Sequence, residues 1–326
     1  MVSIVIPLLN EHEAILPLAD EIAAVCRGLD EPWEVIFVDD GSTDGSTDRL
    51  RELALQRPNF RLVKMRRNFG KAAALMAGFS TVQGDRVITM DGDLQDDPRE
   101  IPSLLAKLDT GFDLVSGWKR VRRDPIGKRW PSRFFNWTTA KLSGVPLHDF
   151  NCGLKAYRGS AARSISLYGE LHRYVPVIGA YRGWRVTELP VSHRPRRFGR
   201  SKFGGERYLR GMLDLLTVLF IGRYQHRPLH LFGGLGLVMM LIGLVVSAYL
   251  TVLKIGGAGI GTRPLLTLGV LLIVVGIQFL SLGLISEMIA SHRADKLGAR
   301  SGEYQIEEVV GDESSSFRHV REKLPT

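Results

Sequence analysis

Residues 33–44 read WEVIFVDDGSTD, in which an apolar run ends at two aspartates and a short polar turn. The apolar part, residues 33–39, has the length and the aromatic and β-branched content of a buried strand. The residues that follow are rich in Asp, Gly and Ser, which are typical of tight turns. A helix is expected next over residues 47–57, with Ser46 or Thr47 as its N-cap. The stretch therefore predicts a strand, a turn and a helix in succession.

The same alternation of strand and helix continues on both sides of this unit. A succession of this kind is typical of an α/β, Rossmann-like fold, in which helices cover both faces of a mostly parallel sheet. Ligands of such sheets bind beyond the carboxyl ends of the strands, so the residues after each strand are the candidates for function. The predicted strands are 2–8, 33–39, 61–65, 86–90 and 113–117, and the predicted helices are 13–29, 47–57, 71–82 and 98–108.

The residues after the fourth predicted strand are strongly acidic. Residues 91–97 read DGDLQDD, so four carboxylates lie within seven residues. Such groups repel one another unless a cation or hydrogen-bond donors offset their charge. Asp91, Asp93 and Gln95 offer oxygen ligands at alternate positions, which suit Mg²⁺ or Mn²⁺ shared with a diphosphate. We therefore expect a divalent-metal site here, whereas residues 39–44 taken alone would also fit a purely structural turn.

Two segments near the C-terminus are long and apolar enough to cross a membrane. Residues 229–253 and 265–286 contain no Asp, Glu, Lys or Arg over 25 and 22 residues. About 20 helical residues cross a hydrocarbon core of about 30 Å. Eleven Lys and Arg residues lie between positions 182 and 227, whereas the connector at 254–264 holds two. By the positive-inside rule we expect a multi-pass protein of the cytoplasmic membrane with both termini in the cytoplasm.

The overall composition fits a folded cytoplasmic domain joined to a membrane anchor. Of the 326 residues 45% are apolar and 24% charged, which excludes an intrinsically disordered chain. The formal net charge of +9 fits a protein that binds anionic substrates or lipid headgroups. Nucleic acid is not an expected partner, because the chain contains no recognised nucleic-acid module. Cys26 and Cys152 are too few for a disulfide framework and are expected to be reduced thiols.

Basic and aromatic residues precede the apolar segments. Seven of the fifteen residues 119–133 are Lys or Arg, and aromatic residues join them over residues 129–142. This pattern favours a helix lying at the membrane surface, with core packing as the alternative. Residues 204–221 have the spacing of a second amphipathic helix, either interfacial or buried. Glycines at every seventh position of the second span permit close helix contact within the hairpin or between copies: Gly269, Gly276 and Gly283.

Three further motifs narrow the function. They are RNFGK at residues 67–71, DFNCGLKAY at 149–157 and HRPRRFGRSK at 193–202. Together with the first strand and its PLLNE ending and the two acidic stretches, they resemble family 2 inverting glycosyltransferases with a GT-A fold. The resemblance is to the group that uses polyprenyl phosphates, such as dolichol-phosphate mannose synthases and bacterial bactoprenol glucosyltransferases. It covers about residues 1–290, and the two C-terminal spans resemble the bacterial branch.

The resemblance implies a role for each matching position. Phe203 departs from the Tyr of many relatives, and Asp-Gly-Asp at 91–93 departs from the commoner Asp-Ala-Asp. The positions implied in nucleotide and donor binding are Pro7, Asn10, Glu11, Asp39, Asp40, Lys71, Asp91 and Gly92. Those implied in holding the metal are Asp91, Asp93 and Gln95. Those implied in binding the acceptor and its phosphate are Arg129, Arg133, Arg200, Ser201 and Lys202.

Asp149 and Asp93 are the two positions implied in catalysis. The family places an aspartate at the position of Asp149 near the sugar and the acceptor, where it is regarded as a base. An acceptor phosphate monoester has a second pKa of about 6 and is mostly dianionic at pH 7, so it needs little help from a base. We therefore expect Asp149 to position the sugar or the acceptor.

The implied reaction is inverting transfer of a hexose from a nucleotide-sugar to undecaprenyl phosphate, with Mg²⁺ or Mn²⁺ as cofactor. UDP-glucose is the expected donor, and GDP-mannose is the alternative. A processive polysaccharide synthase and a non-catalytic membrane scaffold are less favoured alternatives. We expect a catalytic domain at 1–202, a juxtamembrane helix and linker at 203–228, a hairpin at 229–289 and a cytoplasmic tail at 290–326. The bacterial relatives also suggest a homotetramer.

Overall fold

A mostly parallel sheet forms the centre of the structure. The computed structural model describes residues 1–120, 126–195, 206–224, 228–257 and 264–297. The strands in these ranges are β1 (Val2–Leu8), β2 (Trp33–Asp39), β3 (Phe60–Lys64), β4 (Arg86–Thr89), β5 (Leu114–Trp118), β6 (Lys155–Arg158) and β7 (Val186–Pro190). Their order across the sheet is β3-β2-β1-β4-β6-β5-β7. β6 runs antiparallel to β4 and β5, and the other paired strands run parallel, which confirms the predicted fold class.

Helices cover both faces of this sheet, and two long helices follow it. The helices are α1 (Ile15–Cys26), α2 (Ser46–Gln56), α3 (Lys71–Phe79), α4 (Ile101–Asp109), α5 (Ile126–Ser143), α6 (Gly159–Ser164), α7 (Val175–Tyr181), α8 (Glu206–Tyr224), α9 (Pro228–Ile255) and α10 (Pro264–Leu297). Short 3-10 helices form at Pro98–Glu100 and Leu171–Tyr174. One core lies between the sheet and α1, α2 and α4, and a second lies under α3, α6 and α7. Because strands such as β1 are buried on both faces, their sequences read as continuous apolar runs.

The helix ends differ from the sequence predictions more than the strands do. The helix predicted over 13–29 is shorter, and the one predicted over 71–82 ends at Phe79. The predicted N-cap of α2 is wrong, because Ser46 is already helical and Gly45 precedes it with φ of 85°. Asp44 Oδ1 accepts hydrogen bonds from the Ser46 N–H (3.0 Å) and the Ser46 hydroxyl (2.6 Å). The Ser46 hydroxyl, which the sequence predicted as the cap of the helix, is thus hydrogen-bonded to the Asp44 side chain.

The sequence did not predict β6 and β7, which both lie in the half of the sheet beyond β4. β6 has only four residues and begins with a lysine, so it lacks the apolar run of a central strand. β7 is half-buried at the edge of the sheet beside β5. β6 lies between β4 and β5 and runs antiparallel to β4. The loop that precedes β6 therefore lies beside the acidic loop that follows β4.

Helices α5 and α8 each bury one stripe and expose another. A third core forms where Phe150 and Tyr174 meet α8 through Leu215 and Val218. The Phe135 ring of α5 packs 5.7 Å from the ring of Tyr174. Phe134 and Trp137 on α5 are exposed at 61% and 59%, and so are the leucines at 213 and 216 on α8. The two helices thus dock on the α/β domain and still present apolar side chains outward.

The two C-terminal helices pack against each other through glycines. A Cβ at Gly236 would lie 2.6 Å from the Gly276 carbonyl oxygen, and one at Gly243 would lie 2.7 Å from that of Gly269. These contacts lie inside the hairpin, so the glycine face predicted from the sequence is used within one chain. Both helices are long and apolar enough to cross a membrane, with mean hydropathy of 2.3 and 2.6.

Candidate active site

Asp39, at the end of β2, braces the turn that follows it. Its Oδ1 accepts a hydrogen bond from the Ser42 N–H (2.9 Å), and its Oδ2 accepts one from the Thr47 hydroxyl. The side chain is fully buried. The carboxylate therefore joins the end of β2 to the first turn of α2, and it fixes the shape of the loop predicted to lie at the nucleotide.

Asp40 fixes the shape of the neighbouring loop, residues 67–71, by accepting hydrogen bonds from its backbone. Its Oδ1 accepts from the Phe69 N–H (2.7 Å) and its Oδ2 accepts from the Gly70 N–H (2.9 Å). Both donors belong to the RNFGK motif, which leads directly into α3 and Lys71. Hydrogen bonds to an ionised acceptor are worth about 1.5–3 kcal/mol each. Asp40 thereby fixes the start of α3, and with it the lysine that reaches the acidic loop.

Two residues other than glycine adopt left-handed backbone conformations at this edge of the sheet. Asn10, after β1, has φ of 53°, and Leu94, in the loop after β4, has φ of 63°. Asn10 Oδ1 accepts from the Thr43 N–H at 2.8 Å, and the Asn10 N–H donates to Ser42 Oγ at 2.8 Å. A left-handed leucine is costly, and such strain clusters at functional sites. No sequence pattern indicated Leu94 as special.

The acidic loop is held together by cations from other parts of the chain. Lys119 Nζ lies 2.8 Å from Asp96 Oδ1, and both side chains are largely buried. Asp96 Oδ2 accepts from the Asp91 N–H at 3.1 Å. Arg194 Nη2 lies 2.6 Å from Asp97 Oδ1. Asp96 and Asp97 are therefore neutralised by residues distant in the sequence, which relieves part of the repulsion expected from the sequence.

Asp91 itself forms an ion pair with Lys71, the first residue of α3. Burial disfavours its ionised form, but the positive charges of Lys71 and Lys119 outweigh this and lower the pKa of Asp91. Asp93 Oδ1 accepts from the Gln95 N–H at 3.1 Å. The Gln95 side-chain amide lies 3.5 Å from the Arg194 carbonyl oxygen. The predicted metal-ligating residues thus share one loop at the carboxyl edge of β4.

A small recess lies beside Asp91, between the ends of β1 and β4, the start of β6 and the second 3-10 helix. Its lining includes Lys71, Asp91, Lys155, His172 and Arg173, and its free volume is about 10 Å³. We call it the Lys155 recess. A Cβ on residue 153 would overlap the Asp91 carboxylate, so only glycine leaves room for it. Sequence analysis gave no role to residues 155, 172 and 173.

Burial shifts the pKa values of the ionisable groups in the recess. Burial lowers the pKa of His172 well below its usual value, and the charge of Lys71 adds to the effect, so the imidazole is neutral at pH 7. Burial also lowers the pKa of Lys155, and Lys71 acts in the same direction. Burial raises the pKa of the Cys152 thiol to about 12, which makes it unreactive. Cys26 and Cys152 are both free thiols, as expected.

Asp149 lies near the Lys155 recess, since Asn151 and Cys152 line the recess and the charge of Asp149 acts on Lys155. It is 1% exposed, and its Oδ1 accepts from the Asn151 N–H at 3.1 Å. Arg133 projects from α5 with an exposed side chain, and Arg129 belongs to the same helix. The side chain of Arg129 and the whole of residues 200–202 lie outside the described part of the chain.

Comparison with known proteins accounts for this arrangement. Residues 3–166 match the family described as "Glycosyl transferase family 2", and residues 227–292 match the "GtrB C-terminal hairpin". The chain is 39% identical over 322 residues to dodecaprenyl-phosphate galacturonate synthase of Rhizobium johnstonii, covering 96% of this chain and 94% of that protein. It is 36% identical over 320 residues to undecaprenyl-phosphate 4-deoxy-4-formamido-L-arabinose transferase of Salmonella paratyphi A, covering 97% and 95%. The chain belongs to the family 2 polyprenyl-phosphate glycosyltransferases.

The fold of this glycosyltransferase is also found in solved structures. Glucosyl-3-phosphoglycerate synthase from Mycobacterium tuberculosis, crystallised with Mn²⁺, UDP-glucose and phosphoglyceric acid, aligns with a TM-score of 0.54. The identity is 21%, and the alignment covers 67% of this chain and 79% of that one. At this identity the likeness concerns the fold, and it agrees with the GT-A fold expected from the motifs.

The acidic loop of the glycosyltransferase fits a divalent cation shared with a substrate. Asp91 and Asp93 offer hard oxygen ligands in one loop, and the Asp91 side chain is 31% exposed. In the part of the chain that the structure describes, no three His, Cys, Asp or Glu side chains converge as a closed metal cage. Mg²⁺ is commonly held by one or two carboxylates together with substrate phosphates, and this donor set matches that mode.

Proposed function

We propose that this glycosyltransferase transfers a sugar from a nucleotide-sugar to undecaprenyl phosphate, with inversion at the anomeric carbon. The observation that carries the proposal is the loop 91–97, where Asp91 faces Lys71 at the carboxyl edge of β4. A diphosphate leaving group needs positive charge at the point where its own charge develops. Lys71, the first residue of α3, and a cation on Asp91 and Asp93 would supply it at one place. The full-length similarity to two polyprenyl-phosphate transferases supports the acceptor.

Each group of site residues would have its own role in this reaction. A divalent cation held by Asp91 and Asp93, with Gln95 as a further candidate ligand, would stabilise the charge of the departing nucleoside diphosphate. Pro7, Asn10 and Glu11 would line the nucleoside pocket with the loops that Asp39 and Asp40 brace. Gly92 would let the backbone approach the donor. Asp149 would hold the sugar or acceptor in line with the leaving group.

UDP-glucose remains our first proposed donor, and GDP-mannose remains an alternative. The name of the Rhizobium johnstonii relative adds a UDP-uronate to the donors worth testing, because that protein is a galacturonate synthase. The Salmonella paratyphi A relative is named for a formamido-arabinose, so similar chains act on different sugars.

The reaction would take place at the cytoplasmic face of the membrane. The basic residues before α9 and the sparsely charged connector at 254–264 support cytoplasmic termini. The exposed side chains of Phe134, Trp137, Leu213 and Leu216 would lie at headgroup level, close to Arg133. Arg129 and the segment with Arg200, Ser201 and Lys202 would complete the acceptor site. The homotetramer suggested by the resemblance stays a prediction.

Sugar transfer by the purified full-length protein tests the proposal. The protein in detergent is offered undecaprenyl phosphate, Mn²⁺ or Mg²⁺, and in turn UDP-glucose, a UDP-uronate and GDP-mannose. We expect one donor to give a lipid-linked monosaccharide. Asp93→Ala should abolish the product, whereas Asp97→Asn, in the same acidic loop but paired with Arg194, should retain it. Absence of product from every donor would contradict the proposal, and equal loss in both variants would contradict the metal assignment.

A further inference from the structure

The lining of the Lys155 recess holds more cationic than anionic side chains. Lys71, Lys155 and Arg173 line it, and Asp91 is the one carboxylate in its lining. Lys71 already pairs with Asp91, and Arg173 pairs with Glu170 at 2.6 Å from outside the recess. Lys155 is the cation of the lining that forms no direct ion pair with a described residue, although the charges of Asp149 and Asp91 act on it and oppose the lowering of its pKa.

Lys155 is buried in a way that calls for an anion. The residue is 4% exposed, and its ammonium donates a hydrogen bond to the Cys152 carbonyl oxygen. Its ammonium takes part in none of the ion pairs found between described side chains, and the carboxylates that act on it, Asp149 and Asp91, do so through their charge. A buried ammonium without a counter-ion costs several kcal/mol, whereas an anion with the right geometry offsets that cost.

The 3-10 helix Leu171–Tyr174 contributes two further polar atoms. His172 Nδ1 and Arg173 Nε are both buried and have no hydrogen-bond partner among the described residues. Arg173 is 5% exposed, so its guanidinium is almost entirely removed from water. Buried polar groups in folded proteins nearly always have a partner, and an exception calls for a ligand or a bound water. Both residues line the same recess as Lys155.

The size of the recess limits what it accepts. Its free volume of about 10 Å³ is enough for one water-sized group and far too small for a sugar ring. A single oxygen atom of a larger anion fits that volume. The recess opens beside Asp91, where the reaction proposed above would bring the donor and the acceptor together.

We propose that the Lys155 recess binds one anionic oxygen of a substrate, through Lys155, His172 and Arg173. The oxygen belongs either to the phosphate of the acceptor or to a carboxylate on the donor sugar. Both sources present the same chemistry to the recess, and they are separated by experiment. The inference rests on the proposed function for its substrates, but its test measures binding and not turnover.

The test compares Lys155→Met with wild type by isothermal titration in detergent. Met keeps much of the length of the side chain and removes the charge. The probes are farnesyl phosphate for the acceptor and, with Mn²⁺ present, UDP-glucuronate against UDP-glucose for the donor. Lys107→Met on α4, away from the recess, is the matched control, and Arg173→Gln is the second variant. The melting temperature of each variant is recorded.

An acceptor site predicts at least tenfold weaker binding of farnesyl phosphate to Lys155→Met and Arg173→Gln, with both UDP-sugars bound as by wild type. A carboxylate site predicts at least tenfold weaker binding of UDP-glucuronate alone. Lys155→Met should also keep or raise the melting temperature, because an uncharged side chain is easier to bury. Unchanged binding of every probe overturns the inference, and so does a fall in melting temperature without a selective loss of one probe. Wild-type binding without sugar transfer would contradict the proposed function and leave the recess assignment standing.

Discussion

The carboxylates in the two halves of the sheet edge have different kinds of partner. The half that we propose binds the nucleotide, here called the nucleotide half, comprises the loops after β1 and β2 and the RNFGK motif, and there Asp39 and Asp40 accept hydrogen bonds mainly from backbone N–H groups. The half that we propose carries out the transfer, here called the transfer half, comprises loop 91–97, residues 149–155 and the second 3-10 helix, and there Asp91 and Asp96 pair with lysine side chains. Backbone donors cannot move away, whereas a lysine can exchange its partner. One half is therefore built for a fixed shape and the other for exchange of ions and substrates.

The energies of the two kinds of contact support this reading. Two hydrogen bonds to one ionised carboxylate are together worth about 3–6 kcal/mol. The pair between Lys71 and Asp91 is about one-third exposed on both sides, at 34% and 31%. Ion pairs weaken with exposure to solvent, so we expect a divalent cation to replace this pair more easily than it would disrupt the backbone hydrogen bonds of Asp40.

The largest effect on transfer is expected from Gly153→Ala in the transfer half. The added Cβ would overlap the Asp91 carboxylate and push it away from its position. A misplacement of about 1 Å at a reacting group costs about 100-fold in rate. We expect a fall of that size in kcat, measured with saturating donor and acceptor. Gly28→Ala, whose Cβ would meet only the Val25 carbonyl oxygen at 3.4 Å, is the control. Full activity of Gly153→Ala would show that the Asp91 position is not critical.

A smaller loss, of about 10- to 100-fold in kcat, is expected from Asp149→Asn. The amide keeps an oxygen for the Asn151 N–H but loses the charge that orients the substrate. Because the acceptor phosphate is already dianionic near neutral pH, the ratio of wild-type to variant kcat should stay constant from pH 6.5 to 9. The pH profile of both proteins is the measurement. A ratio that shrinks steadily as the pH rises would identify Asp149 as a base.

The nucleotide half should respond through stability and donor affinity, with a smaller change in kcat. Asp40→Ala leaves the partly buried N–H groups of Phe69 and Gly70 without their acceptor. Each unsatisfied donor costs about 1–3 kcal/mol, so the melting temperature should fall by several degrees. The KM for the donor should rise several-fold while kcat falls less than fivefold. Asp48→Ala, at an exposed aspartate of α2, should change neither quantity. A kcat effect as large as that of Gly153→Ala would remove the distinction between the halves.

The smallest effect on transfer is expected outside both halves, in the α9–α10 hairpin. Gly236→Ala would place a Cβ 2.6 Å from the Gly276 carbonyl oxygen, whereas a Cβ at Gly234 would meet nothing within 4 Å. We expect Gly236→Ala to lower the melting temperature in detergent by a few degrees and Gly234→Ala to leave it unchanged. Transfer by either variant should stay within threefold of wild type. Equal melting temperatures would show that the hairpin tolerates separation of its helices.

The sequence predicted the parts of this molecule that depend on local pattern. β1 and β2 have the predicted bounds because each is a continuous apolar run that ends at polar turn residues. β6 was missed because four residues beginning with a buried lysine resemble no strand pattern, and its place is set by pairing with β4 and β5. The predicted N-cap of α2 was wrong because the neighbouring Asp44 accepts a hydrogen bond from the Ser46 hydroxyl.

The candidate site was predicted in the same uneven way. Asp91 and Asp93 follow a strand in a short acidic run, so their neighbourhood can be read from one segment. The Lys155 recess joins residues from α3, β4, β6 and a 3-10 helix, which are separated by up to about 100 positions in the chain. No spacing rule links such residues. The partners of Asp96 and Asp97, which are Lys119 and Arg194, were hidden for the same reason.

The left-handed Leu94 has a consequence for protein engineering. A non-glycine residue in this conformation costs about 1–3 kcal/mol, and Leu94 is only 1% exposed, so its side chain is anchored in the core. A design procedure that maximises thermostability would select glycine here to relax the backbone. That choice would remove the anchor from a loop that carries Asp91 and Asp93 on one side and Gln95 on the other. Thermostable variants of this enzyme should therefore be sought in the helices and the hairpin, with position 94 held constant.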